Sequence, residues 1–352
     1  MTVQTIDADT HLIESERTWE FMDEAFIRFK PKLLANSDVN APATFREFWL
    51  IDGRSFQKRV FEYERSGTSE ETREARSVEA RLAHMDELGV DIQVLYPTLF
   101  LLTVTGKPEV EYALHTCYNR WTADVCSKGE GRLRWAALLP LLLMDRALEE
   151  LHWSKEHGAC AVHMRPWDAG RPPTSPYFFP LYQEASRLNM PICIHAGVGS
   201  TVLADTYNYP ETVFSLTKLP AVGCFHSLVM SDVPDRFPEL RFGLIETSAS
   251  WVPYVLHDIP PRKERLLGQK FDRSRQLLRE NRIFVACQTD DDLPYVLKYA
   301  GEDNLVIGSD YGHADTSSEL TALRHLKEMN ELDGRVVDKI LCDNAKALYG
   351  FA

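Results

Sequence analysis

The 352-residue sequence lacks the marks of several functional classes. It has no Cys-x-x-Cys pair, and its seven cysteines are an odd number, which fits reduced core thiols better than a disulfide framework or a zinc ribbon. Basic residues are in the minority, 39 Lys and Arg against 52 Asp and Glu, and a net charge of -13 argues against a nucleic acid or an anionic membrane as partner. A small molecule is the expected partner. No apolar run reaches the roughly 18 residues of a spanning helix, and the opening MTVQTIDADTHL has neither the basic start nor the apolar centre of a signal peptide, so the chain reads as cytoplasmic. Low-complexity tracts and interdomain linkers are also missing, and a 44% hydrophobic, 26% charged composition is that of an ordinary globular chain.

What is present is an alternation. Short runs rich in Val, Ile and Leu recur at 5–11, 91–98, 133–141, 159–166, 191–197, 240–247, 282–290 and 304–310, each followed by a segment with helical spacing. In SVEARLAHMDELG, Ser77 is placed to cap a helix, Leu82, Met85 and Leu88 share one face, and Gly89 can end it. Eight near-continuous apolar strands with intervening helices predict an α/β chain, a (β/α)8 TIM barrel forming a single domain over 1–352. Residues 15–76 break the repeat and read as an insertion after strand one, either a lid, a dimer contact or a surface excursion, with Asp52-Gly53 as a tight hairpin turn. Two long loops, RPWDAGRPPTSPY and GVGSTVLADTYNYPE, follow strands four and five, where a barrel forms its mouth.

Polar residues cluster at the ends of these strands. In DADTHLIE, residues two apart project to the same side, so Asp9 and His11 leave strand one together, and Asp7 shares that side. Strand five ends in His195, strand six in Glu246 and strand eight in Asp310. Several carboxylates at one mouth must be neutralised by protons, basic partners or a cation, and Arg165 is the only basic residue at these strand ends. A divalent metal is the economical expectation. Singly, each residue has a plainer reading, since a strand-end His is often structural and an Asp before a turn is often a helix cap. Jointly, they point to metal.

The segments DADTHLIE, MDELGVDIQVLYPT, PICIHAG, DRFPELRFGLIETSASWVPY, NLVIGSDYGHAD and DNAKALYG together resemble the amidohydrolase superfamily. The similarity is to the branch containing aminocarboxymuconate-semialdehyde decarboxylase, resorcylate-type decarboxylases, and metal-dependent hydrolases and hydratases. The resemblance implies a metal held by Asp9, His11, His195 and Asp310, and a homodimer. There are departures. The first motif is Asp-x-His, followed by Glu14, where the decarboxylases usually have His-x-His or Glu-x-His. Glu246 stands where those enzymes usually have a strand-six histidine; His226 either replaces that imidazole or is a helix residue. Gly312 stands where relatives often have Pro, and is followed by His313 and Asp315. Such an oxygen-rich set suits Zn, Mn or Fe, and if Glu246, Glu14, His226 or His313 also reach the centre, a second ion fits roughly 3.5–4 Å from the first.

The chemistry implied is a metal-activated water attacking a small carbonyl or carboxylate-bearing substrate, with Asp310 accepting the proton and His195 or His226 returning one. Two alternatives use the same barrel: nonoxidative decarboxylation, and oxygen activation at an iron or iron and manganese centre. A metal-storing or structural subunit is the nonenzymatic reading. For substrate contacts the candidates are Tyr96 and Thr98 at the end of strand two, Trp251 and Tyr254 after strand six, and Arg165 beside His163, where the guanidinium grips a carboxylate of the substrate or pairs with a ligand carboxylate.

Overall fold

The computed structural model describes residues 4–38, 46–59, 61–200, 210–268 and 270–352. Strand β1 (Ile6–Leu12) is followed by three short strands in the inserted region, β2 (Lys32–Ala35), β3 (Glu47–Ile51) and β4 (Arg54–Gln57). The alternation then resumes with β5 (Ile92–Pro97), β6 (Leu133–Leu138), β7 (Ala159–Met164), β8 (Ile192–His195), β9 (Phe242–Ile245), β10 (Ile283–Cys287) and β11 (Leu305–Ile307). The parallel sheet runs β1-β5-β6-β7-β8-β9-β10-β11 with helices between its strands, a (β/α)8 TIM barrel as the strand pattern predicts.

Closure comes from β1 and the segment after β11. Asp310 N–H donates to Asp9 O at 2.9 Å, and His11 N–H to Tyr311 O at 2.7 Å. Gly308 permits that approach, since a Cβ there would lie 2.3 Å from the Asp9 Cβ. Buried Asp7 completes the seam by accepting the Ser309 N–H at 2.9 Å and its hydroxyl at 2.5 Å. The barrel interior is filled by mostly small residues, among them Ala8, Val94, Ala136, Ala161, Cys193 and Val306, while larger ones such as Leu95, Trp135, Ile194 and Leu244 pack outward under the helices. Burial on both faces explains why these strands read as continuous apolar runs.

The hairpin and caps follow the sequence reading. Asp52 (φ 50°) and Gly53 (φ 79°) join β3 to β4, the left-handed pair that a two-residue hairpin requires. Ser77 accepts the Ala80 N–H to start the helix Val78–Leu88, which Gly89 ends at φ 72°. The sixth and eighth barrel strands stop short of the expected 240–247 and 304–310, because Glu246 (φ 57°) and Asp310 (φ 52°) turn the chain out of the extended conformation. The helix Val213–Met230, 18 residues with a mean hydropathy of 1.4, is long and apolar enough to span by length and composition alone, though Lys218 and His226 interrupt its apolar run. It packs onto the fold through Ala221, Cys224, Phe225, Leu228 and Val229.

A cavity of about 640 Å³ between Arg132, Arg134, Lys155 and Phe351 opens beside the strand starts. In this architecture that end supports stability, and chemistry belongs to the other. A second cavity of about 380 Å³ lies beside the mouth, against Glu111, Arg165, Trp167 and Asp168. Burial pushes the Glu111 carboxyl up to about 7, and the Asp168 charge adds to this, although the Leu142 N–H bond at 2.8 Å opposes it. A carboxyl raised in the folded state favours folding while protonated, so its contribution is full below about 4.5 and is lost as pH rises through about 7. Glu111→Gln keeps the acceptor for Leu142 without the charge. Chemical denaturation should show the variant gaining on the parent from about pH 5 to about pH 8, by up to ~3 kcal/mol; a difference independent of pH would contradict this.

Candidate metal centre

Six side chains from four barrel strands meet at the C-terminal mouth in two overlapping sets. Asp9, His11, His195 and Glu246 form one, and His11, Glu246, Asp310 and His313 the other; within each set the ligand atoms lie within 4.8 Å of one another. All six are deeply placed, with side chains from 0% exposed for His11 and His195 to 11% for Glu246. Asp9 and His11 reach the centre from β1, whose pairing register with β5 shifts between Asp7 and Thr10. Glu246 and Asp310 arrive on the two positive-φ turns, and such strain in non-glycine residues persists where the surrounding structure enforces it.

The hydrogen bonds of the imidazoles fix what each offers. His11 Nδ1 donates to Pro97 O at 2.9 Å, and His195 Nδ1 to Ala196 O at 2.9 Å. A carbonyl can only accept, so in the neutral rings both Nε2 atoms carry lone pairs. His195 Nε2 faces Asp9 Oδ1 at 3.1 Å, and His11 Nε2 faces Asp9 Oδ1 at 3.4 Å and Asp310 Oδ1 at 3.2 Å. Without a proton or a cation between them, acceptor meets acceptor in each case. His11 Nε2 and Asp310 Oδ1 are buried without a hydrogen-bond partner, the condition that a cation between them would relieve. These residues therefore fit a divalent ion.

Electrostatics divide the carboxyls. Burial raises Asp9, but the facing His195 and His11 outweigh it and hold the group at about 2. Asp310 is likewise held well below the ordinary carboxylate range against the effect of burial, by His313 and His11. Glu246 is pushed well above its ordinary range, by burial first and then by Asp310, Asp315 and Asp9. One mouth thus holds ionised aspartates and a proton-retaining glutamate.

Several expected site residues stand elsewhere. Glu14 accepts the N–H groups of Thr98 and Leu99, at 3.1 and 2.8 Å, and lies in neither ligand set. His226 sits on the helix Val213–Met230 with Nε2 3.5 Å from Asp258, outside both sets; the helix-residue reading matches this place, and the stand-in imidazole reading does not. The Arg165 fork is occupied by Asp168 and the Leu102 carbonyl rather than by a cluster carboxylate. Trp251 donates to Thr247 O at 3.2 Å and packs on Phe225, while Tyr254 is 75% exposed. Tyr96 points into the barrel, its hydroxyl 2.9 Å from that of Tyr349 and its ring centroid 5.0 Å from that of His195. Thr98 does touch the cluster, through His313. Of the expected mouth loop after strand five, residues 201–209 lie outside the described residues.

A further histidine sits close to this centre. His163 lies inside the barrel beside Tyr96 and His195, with ring centroids 6.1 and 5.9 Å away, and neither of its ring nitrogens has a partner. The alternation of β7 carried the signal, since His163 shares its side with Ala161 in the barrel interior.

The amidohydrolase family profile matches residues 6–351. A 2-amino-3-carboxymuconate-6-semialdehyde decarboxylase from Dictyostelium discoideum is 21% identical over 281 residues, 77% of this chain and 76% of that protein. Among solved structures, an amidohydrolase from Mycobacterium avium subsp. paratuberculosis superposes with a TM-score of 0.79 at 19% identity, covering 99% of this chain and 100% of that one. A 5-carboxyvanillate decarboxylase from Novosphingobium aromaticivorans, complexed with manganese and 4-hydroxy-3-methoxy-5-nitrobenzoic acid, does so with 0.69 at 16% identity, covering 99% and 96%. With a profile match spanning nearly the whole chain and a ligand cluster at the barrel mouth, this protein belongs to the amidohydrolase family, as a metal-binding enzyme of hydrolase or lyase type.

Proposed function

We propose that the chain is a metal-dependent hydrolase acting on a small carbonyl substrate at the barrel mouth. The observation that carries this reading is the buried, unpartnered pair His11 Nε2 and Asp310 Oδ1, set among carboxylates that need a cation. Asp9, His11 and His195 would hold the ion, with Asp310 completing its surroundings; imidazole and carboxylate donors suit Zn, Mn or Fe. When bound, a divalent ion supplies Lewis acidity, bringing water toward a pKa of about 7 and polarising a carbonyl.

The residues divide the proton work. Asp310, held ionised, accepts the proton of the attacking water, and its Oδ2 is fixed by the Ser318 hydroxyl at 2.5 Å. Glu246, the most exposed member of the cluster, keeps a proton and can deliver it to the departing group as the bond to the carbonyl carbon breaks. The inserted region acts as a roof over this half of the mouth: Phe61 lies 6.1 Å from the His313 ring, and Asp52 at the hairpin tip binds Thr105 and Lys107 of the loop after β5. The chain works as a single cytoplasmic domain, paired as a homodimer, on a small molecule.

A second reading, nonoxidative decarboxylation, is favoured by the proton on Glu246, which could equally protonate a carbon as carbon dioxide leaves. Isotope labelling separates the two. Turnover in oxygen-18 water should place the label in an acid product; deuterium on carbon in heavy water, with carbon dioxide release, would transfer the chain to the second reading.

Removing His195 as His195→Ala should abolish both bound metal and activity, read by elemental analysis and turnover; retention of both would sink the site. Glu246→Gln cannot give up a proton, so kcat should fall ~10²–10⁴-fold while the ion bound by Asp9, His11 and His195 stays. Unchanged kcat would remove Glu246 from the reaction.

A further inference from the structure

We infer that the cavity beside the strand starts is a binding site separate from the metal centre, taking a small organic anion whose carboxylate or phosphate group sits on Arg134 and whose apolar body lies against Phe351.

Arg134 stands in an unusual place for a cation. In β6 it shares its side with Ala136, so its side chain leaves the strand toward the barrel interior, while Leu133 and Trp135 pack outward under the helices. A guanidinium so placed normally meets a carboxylate. Among the described residues none pairs with it: Nε is buried without a hydrogen-bond partner, and the charge is met only by the Phe351 ring, 5.6 Å from Cζ. A cation over an aromatic face recovers only part of what its removal from water costs. The terminal nitrogens of the fork are left for a ligand.

The surroundings select that ligand. A cavity of about 640 Å³ is of the size that holds a small molecule. Ile92, Cys160, Tyr349 and Phe351 give it apolar walls continuous with the barrel interior, and Phe351 stacks on Tyr349 at 5.5 Å. Two more cations line it. Arg132 is committed to the carbonyls of Val90 and Asp91 and to Asp86, whereas Lys155, in the last turn of the helix Met144–Glu156, has no ion-pair partner among the described residues. Acidic lining residues leave these charges standing: Asp91 Oδ2 accepts the Thr5 N–H at 2.7 Å, and Glu130, on an exposed turn, pairs with neither Arg134 nor Lys155. In a chain of net charge -13, two uncommitted cations at one cavity are the exception. A planar fork beside an aromatic wall, with an ammonium at the rim, recognises an anionic head on a flat apolar body.

Binding of 4-fluorobenzoate and of inorganic phosphate to the metal-loaded protein, followed by calorimetry and fluorine NMR, tests this. In His195→Ala, whose mouth holds no metal, one equivalent of 4-fluorobenzoate should still bind. Arg134→Gln should weaken that equivalent ~10–100-fold with metal content unchanged, and the exposed change Lys155→Gln should weaken it ~2–5-fold without touching the fold. Phe351→Leu should weaken 4-fluorobenzoate and leave phosphate unaffected, which separates the two sources of the anionic group. Binding lost in His195→Ala would place the anion at the mouth and overturn the proposal, as would binding unaltered in Arg134→Gln and Lys155→Gln, or phosphate binding with none of 4-fluorobenzoate. If Arg134→Gln does not fold, Lys155→Gln and Phe351→Leu decide alone. Binding of neither anion would remove this site and leave the metal reading untouched.

Discussion

The organisation of the barrel mouth depends on a surplus of hydrogen-bond acceptors. Three imidazoles each give their N–H to a fixed partner, Pro97 O, Ala196 O or the Thr98 hydroxyl, and turn the other nitrogen toward a carboxylate. In water such contacts would simply separate. In a sealed barrel end they persist only with a proton or a metal ion between them, because uncompensated buried charges cost several kcal/mol each. The burial-opposing rise of His11, driven by Asp310 and Asp9, shows the same demand met by a proton. Proton and metal compete for one place, which is how metal binding couples to protonation.

The fold serves that arrangement. Backbone bonds from the segment after β11 to β1 close the barrel and set Asp9 beside Asp310, so the seam of the barrel and the metal centre are the same piece of structure. Around it, polar residues that do not join the cluster hold its supports. Glu14 ties β1 to the end of β5 by accepting Thr98 and Leu99, and Asp168 fixes Arg165 at the end of β7. Glu246 at the end of the sixth strand sets the proton inventory of the mouth without being part of its scaffold. That is consistent with a family in which one barrel supports several reactions.

Much of this was legible in the sequence. Apolar runs and helical spacing give all eight barrel strands, since strands buried on both faces have no alternation to blur them, and Asp52-Gly53 marks the hairpin through backbone preference alone. Strand-end position gathers Asp9, His11, His195, Glu246 and Asp310 at one mouth. What spacing cannot show is which polar side chain is already satisfied. Glu14 lies three residues past His11 and yet turns to backbone amides, and Arg165 finds Asp168 only because the loop folds back. His313 joins through a turn at Gly312 that depends on tertiary contacts, and His163 was visible only in the two-residue period of β7.

The central claim is that a metal ion occupies the acceptor-lined gap at the barrel mouth. Anomalous diffraction at the metal absorption edge, from crystals of protein purified without chelator, tests it most directly. The account predicts an anomalous peak bonded to His11 Nε2 and His195 Nε2, with a carboxylate oxygen of Asp9 in contact. Histidines paired to the carboxylates with no peak in the gap would contradict it, and would leave protons as what holds the cluster together.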